Sequence, residues 1–170
     1  IIDIFKPFFL AENIEKVGQN LKFDITVLEK YGVVVHGAIF DTMLAHYLLQ
    51  PDMRHNMDVL AETYLHYQPV SIETLIGKKG KNQSNMRDAD PALVAEYAGE
   101  DADITWQLKE HFLPKLAETA VDKVFYEIES PLVKVLADME FAGVKIDVDG
   151  LKKYSAELHE DLLRLEDEIL

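Results

Sequence analysis

The sequence contains no cysteine, and this absence removes several classes of structure and chemistry. Disulfide bonds and thiolate metal sites are excluded, so any bound metal ion would have carboxylate, histidine or carbonyl ligands. The sequence also lacks an apolar run of membrane length, and it has no basic segment followed by an apolar one at its start. We therefore expect a cytoplasmic protein with no membrane partner.

Basic residues are scarce compared with acidic ones. There are 17 lysines and arginines against 31 aspartates and glutamates, which gives a net charge of -14. A broad phosphate-binding surface is not expected from this balance, although a small, metal-mediated contact with nucleic acid remains open. One basic cluster, formed by Lys78, Lys79, Lys81 and Arg87, fits either such a contact or an ordinary solvated loop.

The chain begins without methionine, and its first residues resemble the interior of a longer sequence. We therefore expect a piece of a larger protein. Its 170 residues, of which 48% are hydrophobic, suffice for one large domain or for one domain with part of another. Helical patterns alternate with a few short strand patterns, which is typical of an α/β or α+β protein with a helical tail.

A long helix is predicted from Asp90, as N-cap, to about Leu113, where Pro114 ends or kinks it. Tyr97 and Asp101 are four residues apart and therefore lie on one face of this helix, in line with apolar residues further along. An unpaired carboxylate beside a buried stripe is unfavourable unless a cation accompanies it. Asp101 is thus either a metal ligand or an acid at the edge of the stripe that is solvated or paired with a lysine.

A second embedded acid, Asp24, falls on or beside the apolar stripe of a helix predicted from Asn20 to about Tyr31. Asp41 has a simpler interpretation, as the N-cap of the next helix. The remaining candidates receive structural roles. We interpret the six histidines as surface or core residues, Trp106 as a core residue and Asp103 as solvent-facing. Short strands are predicted at residues 33–35, 38–40 and within 143–147.

Several ordered motifs resemble the 3′→5′ proofreading exonuclease domain of bacterial family A DNA polymerases, the DNA polymerase I type. Residues 17–24 (VGQNLKFD) resemble the second motif of that domain, and residues 97–103 (YAGEDAD) resemble the third. Further matching segments lie between and after them: FDTML at 40–44, MDVLAE at 57–62, GKNQ at 80–83, IESPLV at 128–133 and EFAGVKID at 140–147. The last two resemble the opening of the polymerase domain, so the resemblance covers essentially the whole chain.

The resemblance implies an RNase H-like (DnaQ-like) α/β exonuclease fold that lacks its N-terminal part here, followed by helices of a polymerase domain. The implied domains are residues 1–118 and 119–170. The family uses four acids to bind two Mg²⁺ or Mn²⁺ ions. By position, Asp24 and Asp101 are two of these metal ligands. Tyr97 matches the tyrosine that orients the attacking water, and the implied partner is the single-stranded 3′ end of DNA.

Three further positions, Gln19, Asn20 and Arg54, match residues near that DNA end. The sequence departs from the family pattern in two places. Phe23 stands where relatives often have tyrosine. The family's first motif, Asp-x-Glu, has no counterpart before Asp24, and we reject Asp138-Met139-Glu140 because it follows the other motifs. We therefore expect half a metal site, little or no activity in this piece, and uncovered sheet edges that favour self-association.

Two other functions remain open on the sequence alone. One is an RNase D-like RNA exonuclease, which the polymerase-like segment at 128–147 disfavours. The other is a catalytically dead exonuclease-like domain that braces a polymerase. Asp24, Tyr97 and Asp101 disfavour this second possibility, but the missing first motif decides it.

Overall fold

The computed structural model describes residues 2–170, and helices dominate this range. The α-helices are α1 (Ile2–Leu10), α2 (Leu21–Glu29), α3 (Thr42–Leu49), α4 (Met57–Leu60), α5 (Glu73–Ile76), α6 (Pro91–Glu118), α7 (Ser130–Ala142) and α8 (Val148–Ile169). The strands are β1 (Lys16–Gly18) and β2 (Ile39–Asp41). Two π-helical turns, Ala61–Leu65 and Val124–Glu129, and one 3₁₀ turn, Met86–Asp88, complete these elements.

The two strands form a parallel pair in which Val17 lies opposite Phe40. Parallel strands require a crossover connection, and the chain between β1 and β2 contains α2. This unit places the ends of both strands and the start of α2 close together. It agrees with the α/β class expected from the sequence.

Most predicted helix starts are confirmed, but some details of the prediction are wrong. Helix α6 continues through Pro114 to Glu118, because the exposed positions of Pro114 and Glu110 let water satisfy the carbonyl that proline leaves without a donor. Residues 33–35 and 143–147 are not strands. Residues 33–35 keep the alternating burial of a strand, with Val33 and Val35 buried, but they pair with no other strand within residues 2–170. Residues 143–147 are exposed, and Val144 is 87% exposed.

Two apolar clusters hold these elements together. The larger one joins β2, α3 and the first π-helical turn to the buried face of α6, and it includes Phe40, Leu108 and Phe112. Phe125 and Tyr126 of the second π-helical turn reach the Phe40 ring, with centroids 4.9 and 6.4 Å away. The smaller cluster packs α2 against α7 through Ile25, Val133 and Ala137, among others. No helix within residues 2–170 is both long enough and apolar enough to cross a membrane.

The Asp41 carboxylate connects the N-terminal ends of two helices. It caps α3, as predicted, by accepting the Met43 N–H at 2.9 Å and the Leu44 N–H at 3.4 Å. It also accepts the N–H groups of Asn20 at 3.0 Å and Leu21 at 2.7 Å, at the start of α2. Burial raises the pKa of Asp41, and these four hydrogen bonds act in the opposite direction. One buried side chain thus fixes where α2 begins.

A second polar group, the buried His46 side chain, ties α3 to its neighbours. Its Nδ1 lies 2.7 Å from Nδ1 of His55, and its Nε2 lies 2.9 Å from the Tyr64 hydroxyl. The His55 carbonyl in turn accepts a hydrogen bond of 2.7 Å from Nε2 of Gln19. Burial, with a smaller effect of the His55 charge, lowers the pKa of His46 to about 4. His111 and Lys115 of α6 also lie near the Tyr64 ring, with the His111 ring centroid 5.0 Å and the Lys115 ammonium 5.4 Å from its centroid.

Replacing Asp41 with alanine should destabilise the chain strongly. The substitution leaves N–H groups at two helix starts without an acceptor, so we expect a loss of about 2–4 kcal/mol in the free energy of unfolding. Asp90→Ala is the matched control, because Asp90 caps α6 by accepting only the Ala92 N–H from an exposed position. It should cost about 1 kcal/mol. Equal losses in urea unfolding would contradict the double role of Asp41.

The stability of the chain should depend on His46 in mildly acidic solution. The unfolded state takes up a proton at this residue near pH 6.5, whereas the folded state does so only near pH 4. The contribution of His46 to the free energy of unfolding is therefore fully present above about pH 6.5. The free energy of unfolding falls, by on the order of 2–3 kcal/mol, as the pH drops to about 4. His46→Gln should flatten this part of the pH profile in urea unfolding.

The control for this experiment is His159→Gln on the exposed α8. It should leave the pH profile of the unfolding free energy as in the unmodified chain. A His46→Gln profile that stays parallel to that of the unmodified chain between about pH 4 and 6.5 would refute the assignment.

Candidate active site

A cavity of about 620 Å³ lies where β1, α2 and α6 meet. Both sequence-predicted acids, Asp24 of α2 and Asp101 of α6, line it. Gly18 and Gln19 form the part of the wall that connects β1 to α2. The fold thus brings two distant acidic positions to one open space.

Helix α6 presents Asp101 to this cavity because its opposite face is fixed in the core. Ile104, Leu108 and Phe112 are at most 2% exposed and hold the helix in one rotational setting. Asp101, Ala102, Thr105 and Trp106 then face the cavity. Asp101 and Thr105, and likewise Ala102 and Trp106, are four residues apart, as expected for neighbours on one side of a helix.

Asp24 lies one turn into α2, and Asp41 anchors the start of that helix. The residue as a whole is exposed, yet desolvation of its carboxylate raises the pKa of Asp24, and the neighbouring charge of Asp41 raises it further. A hydrogen bond from the backbone N–H of Asp24 itself acts in the opposite direction. An additional positive charge at the cavity would therefore stabilise the ionised carboxylate.

Tyr97 and Asp101 lie close enough on α6 to shift each other's pKa, as their spacing on the helix predicts. Burial raises the pKa of Tyr97, and the charge of Asp101 and its hydrogen bond with the tyrosine raise it further. Burial also raises the pKa of Asp101, while the hydrogen bond from Tyr97 lowers it and the charges of Glu100 and Asp58 raise it. Within residues 2–170 neither Asp24 nor Asp101 forms a salt bridge. The pairing of Asp101 with a lysine is therefore ruled out.

Tyr97 does not line the cavity of Asp24 and Asp101 but a second one, of about 360 Å³. One wall comes from α6 through Leu93, Glu96 and Glu100. The other comes from the segment of residues 67–76, which contributes Val70, Thr74 and Leu75. Asp101 therefore lines the first, acidic cavity together with Asp24, whereas its neighbour Tyr97 lines the second, apolar cavity.

The three residues predicted to lie near a DNA end have different surroundings. Gln19 lines the acidic cavity, and its amide is held by the His55 carbonyl and the Thr42 hydroxyl. Asn20 is exposed beside it, with φ of 62° and its N–H on Asp41. Arg54 is exposed and does not line the cavity. The structure thus brings Gln19 to the two acids but not Arg54.

Trp106 is a cavity residue that sequence reasoning assigned to the core. It is 51% exposed, and the Lys109 ammonium lies 5.0 Å from its ring centroid. Lys109 pairs with Glu15, another residue of the cavity wall. Trp106 lies five residues after Asp101, which is a rotation of about 140° around the helix, so the spacing gave no signal that it shares a cavity with Asp101. Asp103, in contrast, is exposed as predicted and accepts a hydrogen bond from Gln107.

The chemistry of the cavity suits a hard divalent cation in part. Carboxylate and hydroxyl oxygens are the ligands that Mg²⁺ and Mn²⁺ prefer, and the desolvated, unpaired carboxylates of Asp24 and Asp101 meet that preference. Within residues 2–170, no group of three or more histidine, aspartate or glutamate side chains is arranged to hold a metal ion. Asp24 and Asp101 are thus two carboxylates of the right chemistry, without a third one arranged with them among the described residues.

Comparison with known protein families decides the family. The family model described as 3′-5′ exonuclease, of type A DNA polymerases, matches residues 1–117. The chain belongs to this exonuclease family. The resemblance found in the sequence motifs is thereby confirmed.

Curated relatives of this exonuclease chain are bacterial enzymes named DNA polymerase I. The chain is 37% identical to that of Borreliella burgdorferi over 170 residues, which is all of this chain and 18% of the relative. It is 38% identical to that of Rhizobium leguminosarum, with 96% of the chain and 16% of the relative covered, and 36% identical to that of Pseudomonas aeruginosa, with 98% and 18% covered. The chain thus spans less than a fifth of these relatives.

A solved structure supports the same fold. The POL domain of Pol1 from M. smegmatis, in complex with DNA primer-template and dNTP, superimposes with a TM-score of 0.65 at 22% identity. The match covers 93% of this chain and 24% of that one. The expected exonuclease fold with following polymerase-type helices is confirmed by this likeness together with the family match.

Proposed function

We propose that this exonuclease chain is part of a DNA polymerase I that synthesises DNA on a template and removes misincorporated nucleotides from the 3′ end. The proposal rests on one observation: two acids that form no salt bridge within residues 2–170, Asp24 and Asp101, line the same cavity. The family match and the DNA polymerase I relatives support it. The proposed substrate is a single-stranded DNA 3′ end, and the proposed location is the cytoplasm.

Asp24 and Asp101 would hold Mg²⁺ or Mn²⁺. Such ions, when bound, lower the pKa of water and stabilise charge on the leaving 3′ oxygen. The Tyr97 hydroxyl, next to Asp101, would orient the attacking water. Gln19, Asn20 and Arg54 would contact the strand, with Gln19 presented by its bonds to His55 and Thr42.

The proposal divides the chain into an exonuclease part, residues 1–118, and the beginning of the polymerase domain, residues 119–170. The end of α6 at Glu118 supports this boundary. The packing of α7 on α2 means that the second part would brace the helix that carries Asp24. Because the Asp-x-Glu motif has no counterpart before Asp24, we expect the chain alone to bind Mg²⁺ weakly and to cleave DNA little.

The hydrolysis is tested by single-turnover digestion of a labelled single-stranded oligonucleotide, with this chain beside a version extended upstream by an Asp-x-Glu strand. In the extended version Asp24→Ala or Asp101→Ala should reduce Mg²⁺-dependent cleavage by at least about a hundredfold, because each removes a metal ligand. Tyr97→Phe should reduce it by roughly tenfold to a hundredfold without unfolding the protein.

Asp103→Ala is the matched control for this experiment, because Asp103 is an exposed acid on the same helix. Its cleavage rate should equal that of the unmodified extended version. Robust cleavage by the short chain would refute the proposed half-site. An extended version without activity would favour a domain that only braces the polymerase, and preferential cleavage of RNA would favour an RNase D-like enzyme.

The proposal also predicts that the chain associates with itself. Residues 141–170 are exposed throughout and carry many apolar side chains, and each strand of the two-stranded sheet has one unpaired edge. Sedimentation velocity should show a species whose size increases with protein concentration. Lysine at Leu158 and Leu162 of α8 should reduce this association, whereas a compact monomer at all concentrations would contradict it.

A further inference from the structure

Glu100 lies in α6 directly before Asp101, and its carboxylate accepts two hydrogen bonds from a distant segment. The Tyr67 hydroxyl donates one at 2.5 Å, and the backbone N–H of Val70 donates the other at 3.0 Å. The same side chain lines the cavity that Tyr97 borders. Glu100 thus contacts the segment of residues 67–76 and the site at the same time.

The segment of residues 67–76 has little else to hold it. It leaves the first π-helical turn at His66, which adopts a left-handed conformation with φ of 53°. Most of its side chains are exposed, and its only helix, α5, has four residues and buries none of them. Segments with few buried contacts open locally at low cost. A carboxylate with two good donors is therefore a major constraint on this segment.

The position of the segment matters for the site because it forms the wall opposite α6. Val70, which Glu100 holds by its N–H, lines the apolar cavity together with Thr74 and Leu75. Tyr97, which lies next to Asp101, lines the same cavity. A shift of the segment would change the shape of the cavity that Tyr97 lines.

We propose that Glu100 is a positioning residue that ties the segment of residues 67–76 to α6 and so forms the wall opposite Tyr97. Its significance for nucleotide binding rests on the function proposed above. Glu100 does not need to touch a metal ion or the reacting phosphate in this role. It acts through Tyr67 and Val70, and its effect on the site is geometric.

The connection between the segment of residues 67–76 and α6 is tested by amide hydrogen exchange on the full chain, followed by NMR. Glu100→Ala should speed exchange of the Val70 amide by roughly tenfold, because the charge-assisted hydrogen bond is lost. Glu100→Gln should give an intermediate rate, since its amide oxygen still accepts the N–H. The amides of Leu108 and Phe112, in the buried part of α6, should keep their rates.

Glu96→Ala is the matched control, because Glu96 lines the same cavity from the preceding turn of α6. It should leave the Val70 rate unchanged. Tyr67→Phe removes one of the two donors at an exposed position, so it should speed the exchange less than Glu100→Ala and remains informative if that variant unfolds. A Val70 rate that is unaffected by both Tyr67→Phe and Glu100→Gln, or is raised equally by Glu96→Ala, would overturn the proposal.

A second measurement separates this inference from the proposed function. A short single-stranded oligothymidylate should shift the NMR signals of Val70 and Tyr97 in the unmodified chain, and Glu100→Ala should weaken its binding by roughly tenfold while Glu100→Gln restores most of it. If the oligonucleotide does not shift the NMR signals of the unmodified chain, the proposed function loses its substrate site. The exchange rates then still test whether Glu100 connects the segment of residues 67–76 to α6. Binding that is equal in the unmodified chain and Glu100→Ala would overturn the positioning role.

Discussion

The Asp41 carboxylate is the constraint on which the site depends. Asp41 is the last residue of β2, and its carboxylate accepts N–H groups from the starts of α2 and α3. Helix starts carry unsatisfied donors and partial positive charge, so one buried acid can stabilise two of them. Because Asp24 lies one turn into α2, the capping geometry at Asp41 also determines the position of Asp24. A residue with an ordinary structural role thus supports the residue with the proposed chemical one.

The acids of the cavity lack the donors that compensate Asp41 for its burial. Burial raises the pKa of Asp24, Asp41 and Asp101, and none of the three forms a salt bridge within residues 2–170. Only Asp41 accepts four backbone N–H groups, and the two cavity acids have no comparable set of donors among the described residues. Such groups reduce stability unless another charge joins them. This difference distinguishes Asp41, whose carboxylate is occupied in capping two helices, from Asp24 and Asp101, whose carboxylates remain available to bind a cation. It agrees with the tendency of perturbed titratable groups to cluster at functional sites.

Much of this arrangement was predictable from sequence, because it depends on local patterns. Asp41 and Asp90 are caps, and the spacing of Tyr97 and Asp101 places them together. The errors arose where tertiary context decides. Only the fold shows that Trp106 faces a cavity, that His46 and His55 meet, and that residues 33–35 find no partner strand within residues 2–170. The contact of Glu100 with Val70 involves a backbone N–H and therefore has no side-chain signature at position 70.

The π-helical turn at Val124–Glu129 has a consequence for insertions and deletions. A π turn holds one residue more than an α turn, and each residue of an α-helix rotates the following chain by about 100°. Deleting one residue there would convert the wide turn into an α turn while the following chain keeps its rotational setting, so Val133 and Ala137 of α7 would stay against α2. A deletion between Ser130 and Val133, in the regular helix, would instead rotate Val133 and Ala137 by about 100° away from α2. The π-helical turn is therefore the place where this stretch of chain can lose one residue without losing the contact between the two helices.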